Sequence, residues 1–236
     1  MNTNIIFRQL LDYESSTYTY ILADPETNKG IIIDPVIEKA ERDAKLIREM
    51  WLTIVYILDT HVHADHITWA SKLKESFPEA EIVVGIQNKW VQHNDLFLSD
   101  GETLSFWNKT LQALETPGHT NGCMSYIVED MIFTGDVLLI RWCGRTDFQQ
   151  WSNQNMWDSV RNKIFTLPDM TKIFPAHDYI WRMQSTVSEE KEYNPRLKLS
   201  NTFEEFEYIM NNLNLPNPKK IAESLPANLM SWHKCW

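Results

Sequence analysis

Short runs of β-branched and aromatic residues, separated by polar turns, open the chain at residues 5–11, 17–22 and 31–33, the last after the turn-rich segment ADPETNKG. Runs of that length between turn formers predict a meander of strands. The period then changes. Ala40, Ala44, Ile47 and Met50 recur at helical spacing, predicting an amphipathic helix over 38–50, and the nearly continuous apolar run 53–58 predicts a buried strand. A second helix is expected over 66–76, strands near 81–84, 103–106, 110–115, 123–128 and 131–133, and a helix over 155–165. Residues 172–174 read as a last short strand. Phe203, Phe206, Ile209, Met210 and Leu213 then line one face of a helix over 203–213, and Pro216, Pro218 and Pro226 predict an irregular last twenty residues. Meandering strands with single helices between them, in both halves, predict an α/β sandwich of two sheets covered by helices, not an all-parallel doubly wound sheet.

With 236 residues the chain is expected to form one domain over 1–236, with a short helical and irregular tail from about 185. The composition, 43% hydrophobic and 23% charged, excludes a disordered chain, and no apolar run approaches the roughly 20 residues of a membrane span. A net charge of −10 repels phosphate backbones and anionic lipid, so neither a nucleic acid nor a membrane is an expected partner. Three cysteines, Cys123, Cys143 and Cys235, are too few for a disulfide scaffold, and the start MNTNIIFRQL has no signal-peptide pattern; a cytoplasmic location is expected. One count is anomalous. A chain this long would hold roughly 17 glycines at average usage, whereas this one has 7, beside 10 tryptophans.

Five of the seven histidines stand just after predicted strands: His61, His63 and His66 in THVHADH, His119 in TPGHT, and His177 in PAHD. Side chains at strand ends converge on a rigid rim, as a metal site requires, and Asp65 and Asp136 (in FTGD) add carboxylates. Neutral imidazole with carboxylate suits zinc or non-haem iron. His93 and His233 read as ordinary core or surface residues.

The H-x-H-x-D-H run, followed in order by G-H, G-D and A-H, resembles the signature of the metallo-β-lactamase fold superfamily, which implies a metallo-β-lactamase-like αββα sandwich with two mixed sheets covered by helices. DYESSTYTYIL at 12–22, THVHADHIT, the CGRTDFQQ segment with Arg145, AHDY ending at Tyr179 and NPRL with Arg196 narrow the likeness. Together they resemble persulfide dioxygenases, also called sulfur dioxygenases, over nearly the whole chain to LPAN at Leu225.

The ligand positions alone leave the reaction open, because His61, His63, His119, Asp65, His66, His177 and a bridging Asp136 would also serve a dinuclear hydrolase. The resemblance implies one ferrous ion (Fe2+) per chain on His61, His119 and Asp136, with His63, Asp65, His66 and His177 orienting it or forming a second metal site. It implies sulfide oxidation: glutathione persulfide and oxygen as substrates, sulfite and glutathione as products. Tyr179 and Arg145 are the implied catalytic residues, and Arg145, Arg196 and Tyr179 the implied substrate contacts. Without the resemblance, Arg145 reads as the partner of Asp147 and Tyr179 as packing. A homodimer is left open. The rival readings are a dinuclear zinc thioester hydrolase like glyoxalase II, disfavoured because only about sixty residues follow His177, and an inactive module blocked by tryptophan. Trp51, Trp69, Trp90, Trp107, Trp142, Trp151 and Trp181 stand where the family pattern has glycine. That substitution of one residue type for another is expected if UGA codons are read as glycine.

Overall fold

The computed structural model describes residues 4–147, 152–216 and 220–230; Trp151, His233 and Cys235 lie outside them. The first half runs β1 (Ile6–Asp12), β2 (Thr17–Ala23), β3 (Lys29–Ile33), α1 (Ala40–Glu49), β4 (Thr53–Leu58), α2 (Ala70–Ser76), β5 (Glu81–Gly85) and β6 (Leu96–Leu98). The second runs β7 (Thr103–Phe106), β8 (Lys109–Glu115), β9 (Met124–Val128), β10 (Met131–Gly135), α3 (Asn153–Asn162), β11 (Lys172–Pro175), β12 (Ser185–Thr186), α4 (Val187–Tyr193), α5 (Phe203–Asn211) and α6 (Ile221–Leu229).

The strands form two six-stranded sheets, ordered β1-β2-β3-β4-β5-β6 and β12-β11-β10-β9-β8-β7. Both are mixed: β3 to β6 pair parallel beyond an antiparallel β1-β2-β3 meander, and β10-β11 is parallel within an otherwise antiparallel second sheet. Side-chain alternation in β2 shows how the layers are filled. Tyr18, Tyr20 and Leu22 face the core between the sheets with Phe133 and Phe174, while Ile21 and Ala23 face α1 and α2. The second sheet turns Ile132 and Ile173 outward onto α3 and α5, where Met156, Val160, Phe206 and Met210 pack. Three apolar layers between four structural ones make the αββα sandwich that the motifs implied.

Two expectations about the chain's organisation are corrected. The helix expected from residue 66 begins only at Ala70, because residues 67–69 are held by β-type contacts: Thr68 bridges Val36, Ile67 O accepts from Ile37 N, and Trp69 N donates to Pro35 O. The expected irregular last twenty residues contain α6, with Pro226 inside it. Three elements were not legible: β6, β12 and α4. Helix α4 carries a local signal all the same, since Thr186 caps it by accepting from Glu189 N at three residues' spacing.

The fully buried Glu190 ties α4 to the loop after β10. It accepts from Arg141 N at 2.9 Å, from the Arg141 guanidinium, from Ser185 Oγ at 2.6 Å and from Asn194 Nδ2 at 2.9 Å. Arg141 to Arg145 leads straight to the site described below, so this buried pair positions chemistry as well as structure. Glu190→Ala should cost about 3 kcal/mol of unfolding free energy, read as a lower urea midpoint.

Candidate metal centre

Four strand ends converge on one face of the sandwich. His61 follows β4, His119 follows β8, Asp136 follows β10 and His177 follows β11. Gly135 makes one of these exits feasible. Its φ is +54°, and a Cβ there would lie 2.6 Å from Thr60 Oγ1, so a side chain would push the end of β10 away from the histidine loop. Gly144 is equally constrained, since its Cβ would meet Asp136 O at 2.3 Å and the His119 ring at 3.0 Å.

His61, His119 and Asp136 each offer a ligand atom within 4.8 Å of the other two. A buried imidazole binds metal only through an unprotonated nitrogen, so the hydrogen bond on its far side decides its use. Thr60 Oγ1 donates its single proton to Asp34 Oδ2 at 2.9 Å and therefore accepts from His61 Nδ1 at 3.0 Å. His119 Nδ1 donates to Arg145 O at 3.0 Å. Both rings thus present Nε2 as a lone-pair donor, and they meet edge to face with centroids 5.0 Å apart. Burial, then the neighbouring His63, hold the His61 imidazole well below its usual pKa, so it stays neutral.

A second set, His63, Asp65 and His66, lies alongside. His63 Nε2 is 3.1 Å from Asp34 Oδ1, and His66 Nδ1 is 3.1 Å from Asp65 Oδ2. Asp65 Oδ2 also accepts from Thr17 at 3.3 Å and faces His177 Nε2 at 3.4 Å. Burial opposes its ionisation, but His177, then His66, outweigh it and hold the carboxyl well below the carboxylate range. Three buried atoms, His63 Nδ1, His66 Nε2 and Asp136 Oδ1, have no hydrogen-bond partner among the described residues. Each would cost about 1 to 3 kcal/mol if left so. Asp136 Oδ1 belongs to the first set and His63 Nδ1 and His66 Nε2 to the second, so each set keeps unused lone pairs of the kind a bound cation takes up.

The other sequence-flagged residues stand around this centre. Tyr179 is exposed and stacks on the His177 ring, with centroids 5.9 Å apart and planes within 9°. Arg145 grips Asp147 in a two-pronged ion pair, Nε to Oδ1 at 2.6 Å and Nη2 to Oδ2 at 2.8 Å, and donates Nη1 to Pro216 O. Arg196 is buried behind the centre, donates to Cys143 O at 2.9 Å and lies 4.9 Å from the Trp142 ring centroid.

Three contributors escaped the sequence reading: Asp34 and Thr60, which fix the His61 tautomer, and Asn228. The Asn228 amide nitrogen donates to His63 O and His66 O, both at 2.8 Å, while its oxygen accepts from Thr68 N at 2.9 Å. One buried side chain from α6 thereby pins the backbone of the histidine loop. Asn228 is the last residue of the LPAN match, which gave it no role.

The metallo-beta-lactamase superfamily model matches residues 12–177. The human protein named persulfide dioxygenase ETHE1, mitochondrial, is 46% identical over 227 residues, covering 95% of this chain and 88% of its own. Its Bos taurus counterpart is 45% identical over 231 residues, with the same coverage. The crystal structure of ETHE1 from Myxococcus xanthus superposes with a TM-score of 0.92 at 43% identity, covering 97% of this chain and all of that one.

Asn228→Ala should loosen the histidine loop without unfolding the sandwich. Metal affinity is expected to fall by about tenfold or more, measured by chelator competition, with an unchanged far-ultraviolet circular dichroism spectrum.

Proposed function

The chain belongs to the metallo-beta-lactamase superfamily and, within it, to the persulfide dioxygenase family, and on that footing we propose that it oxidises glutathione persulfide at a single ferrous ion held by His61, His119 and Asp136. It is an enzyme, an oxidoreductase of the persulfide dioxygenase class. One persulfide, one dioxygen and one water give glutathione, sulfite and two protons; the terminal sulfur is oxidised and dioxygen is reduced.

The observation that carries the choice of metal is the donor set: two histidine Nε2 atoms and one carboxylate with an unpartnered oxygen. Two histidines and one carboxylate on one face suit non-haem iron, which supplies the redox chemistry that zinc lacks. The protein's own groups do the rest. Asp34, through Thr60, keeps His61 in its ligating tautomer, and the Arg145 carbonyl does so for His119. Partial desolvation, then Asp136 and Asp65, raise the Tyr179 phenol above its ordinary pKa, so it keeps its proton and can donate to substrate. A glutathione carboxylate would compete with Asp147 for the Arg145 fork, whose geometry matches an acid in two-pronged contact. Arg196 adds the second positive charge. His63, Asp65, His66 and His177 act as orienting groups. The cytoplasm, a reducing compartment, suits the buried free thiols of Cys123 and Cys143.

The unpartnered His63 Nδ1 and His66 Nε2 favour one second reading, a dinuclear zinc thioester hydrolase. Anaerobic purification followed by metal analysis separates the two. Near one iron per chain, with oxygen uptake and matching sulfite on addition of glutathione persulfide, is the expected result; near two zinc with thioester hydrolysis would replace it. His61→Ala should abolish both iron binding and uptake. Arg145→Ala should raise KM for the persulfide by about tenfold while changing kcat much less, which is the mark of lost substrate binding.

A further inference from the structure

Positive φ is uncommon outside glycine, and for a bulky residue it is a genuine outlier that costs about 1 to 3 kcal/mol. Seven of the ten tryptophans lie within the described residues, and three of these have left-handed backbone: Trp51 at φ 57°, Trp107 at 68° and Trp181 at 55°. The chain's own glycines occupy the same region at Gly101 and Gly135.

All three sit in turns, and at 51 and 107 the turn type is one that usually takes glycine. Trp51 follows Met50, the cap residue that closes α1, and there Trp51 N bonds Arg48 O and Leu52 N bonds Ile47 O, both at 3.0 Å. That pair of bonds is the Schellman closure, whose left-handed residue is usually glycine. Trp107 is the first residue of the two-residue loop joining β7 to β8 and has positive φ where Asn108 does not. A hairpin loop of that form takes glycine at its first position. Trp181 follows a turn in which Asp178 accepts from Ile180 N and Met183 N.

Burial does not offset the strain. The three residues are 83%, 59% and 66% exposed, and the Lys29 ammonium lies 4.2 Å from the Trp107 ring centroid. Trp69, by contrast, is buried, and its indole N–H has no hydrogen-bond partner among the described residues. Trp157 is what an ordinary tryptophan of this chain looks like: helical, packed on Phe203 and Phe206, and covered by Arg161 at 4.4 Å.

We infer that the protein made in its own cells carries glycine at positions 51, 107 and 181, encoded by UGA read as glycine, while Trp157 is a true tryptophan encoded by UGG. One codon assignment explains why tryptophan recurs at three unrelated left-handed turns, a backbone region that Ser16, Asn28, Asp34, His93, Glu129, Arg141 and Met183 also occupy, and it accounts for part of the glycine shortfall. It also bears on the active site, because the same codon at position 142 would remove the indole that lies against Arg196, and at 181 the one two residues beyond Tyr179.

The test reads mass, not activity, so failure of the dioxygenase reading leaves it intact. Peptides of the protein purified from its native host should show glycine at 51, 107 and 181 and tryptophan at 157, with UGA and UGG at the matching codons. Tryptophan at any of the three in native protein overturns the inference. A second measurement uses protein produced with tryptophan at all four positions. Trp51→Gly, Trp107→Gly and Trp181→Gly should each raise the melting temperature by about 2 °C or more, whereas Trp157→Gly should lower it. A fall at the three turn sites would mean that their backbone is built for the indole, and would count equally against the proposal.

Discussion

Asp34 is the residue on which the site's geometry turns. It stands just past β3, fully buried, and satisfies three donors at once: Thr60 N at 2.7 Å, Thr60 Oγ1 at 2.9 Å and His63 Nε2 at 3.1 Å. Burial raises its pKa, with His61 and the Thr60 bonds pulling the other way. A buried carboxylate is tolerable only when its lone pairs are used, and here their use dictates what the histidines do. Thr60 has one hydroxyl proton, which goes to Asp34, so His61 must donate to Thr60, which leaves its Nε2 unprotonated and open to a cation. Asp59, two residues before His61, is pushed up to about 7 by burial and then by Asp34's charge, so it places no second full charge beside Asp34.

The sandwich is what allows a single rim to collect these groups. Parallel pairing of β3 with β4 and of β10 with β11 sends neighbouring strands out at the same edge, so Asp34 and His61 emerge together on one sheet, and Asp136 and His177 on the other. Tyr18, Tyr20, Phe133 and Phe174 form the tightly packed layer directly beneath, with Tyr20 donating to Pro175 O at 2.6 Å just before His177. His61, His119 and His177 therefore stand just past the ends of strands that pack into the core. What the loops add is close approach, through glycines 135 and 144.

Periodicity made the strands legible because both sheets are covered on two faces, which leaves long apolar runs such as those of β2 and β4. The residues that could hold a metal could be singled out because metal chemistry restricts residue type at fixed spacing. Legibility ended where a residue's role is set by a partner distant in sequence. Asn228 is an ordinary polar residue until α6 carries it to the histidine loop. The helix expected from residue 66 starts late because that loop's backbone is committed to the site. Helix α4 buries only Val187 and Glu190, and the reason for burying Glu190 is Arg141, on another loop. Pro226 argued against a helix, yet α6 is anchored at its two ends, by the Lys220–Glu38 ion pair and by Asn228.

The two candidate metal sets differ in how their donors are already spent. In the first, the hydrogen bonds that fix His61 and His119 come from groups outside the set, and Asp136 Oδ1 accepts no hydrogen bond among the described residues while facing His177 Nε2 at 3.6 Å. In the second, His66 bonds Asp65, a ligand of the same set, and that same Asp65 oxygen also serves Thr17 and faces His177. A cation entering there would find His63 Nδ1 and His66 Nε2 open but would compete for Asp65 Oδ2, whereas in the first set the ring hydrogen bonds lie on the far side of the nitrogens it would use. The difference is one of preorganisation. It gives the two sets a physical reason to differ in how readily each would take up a cation.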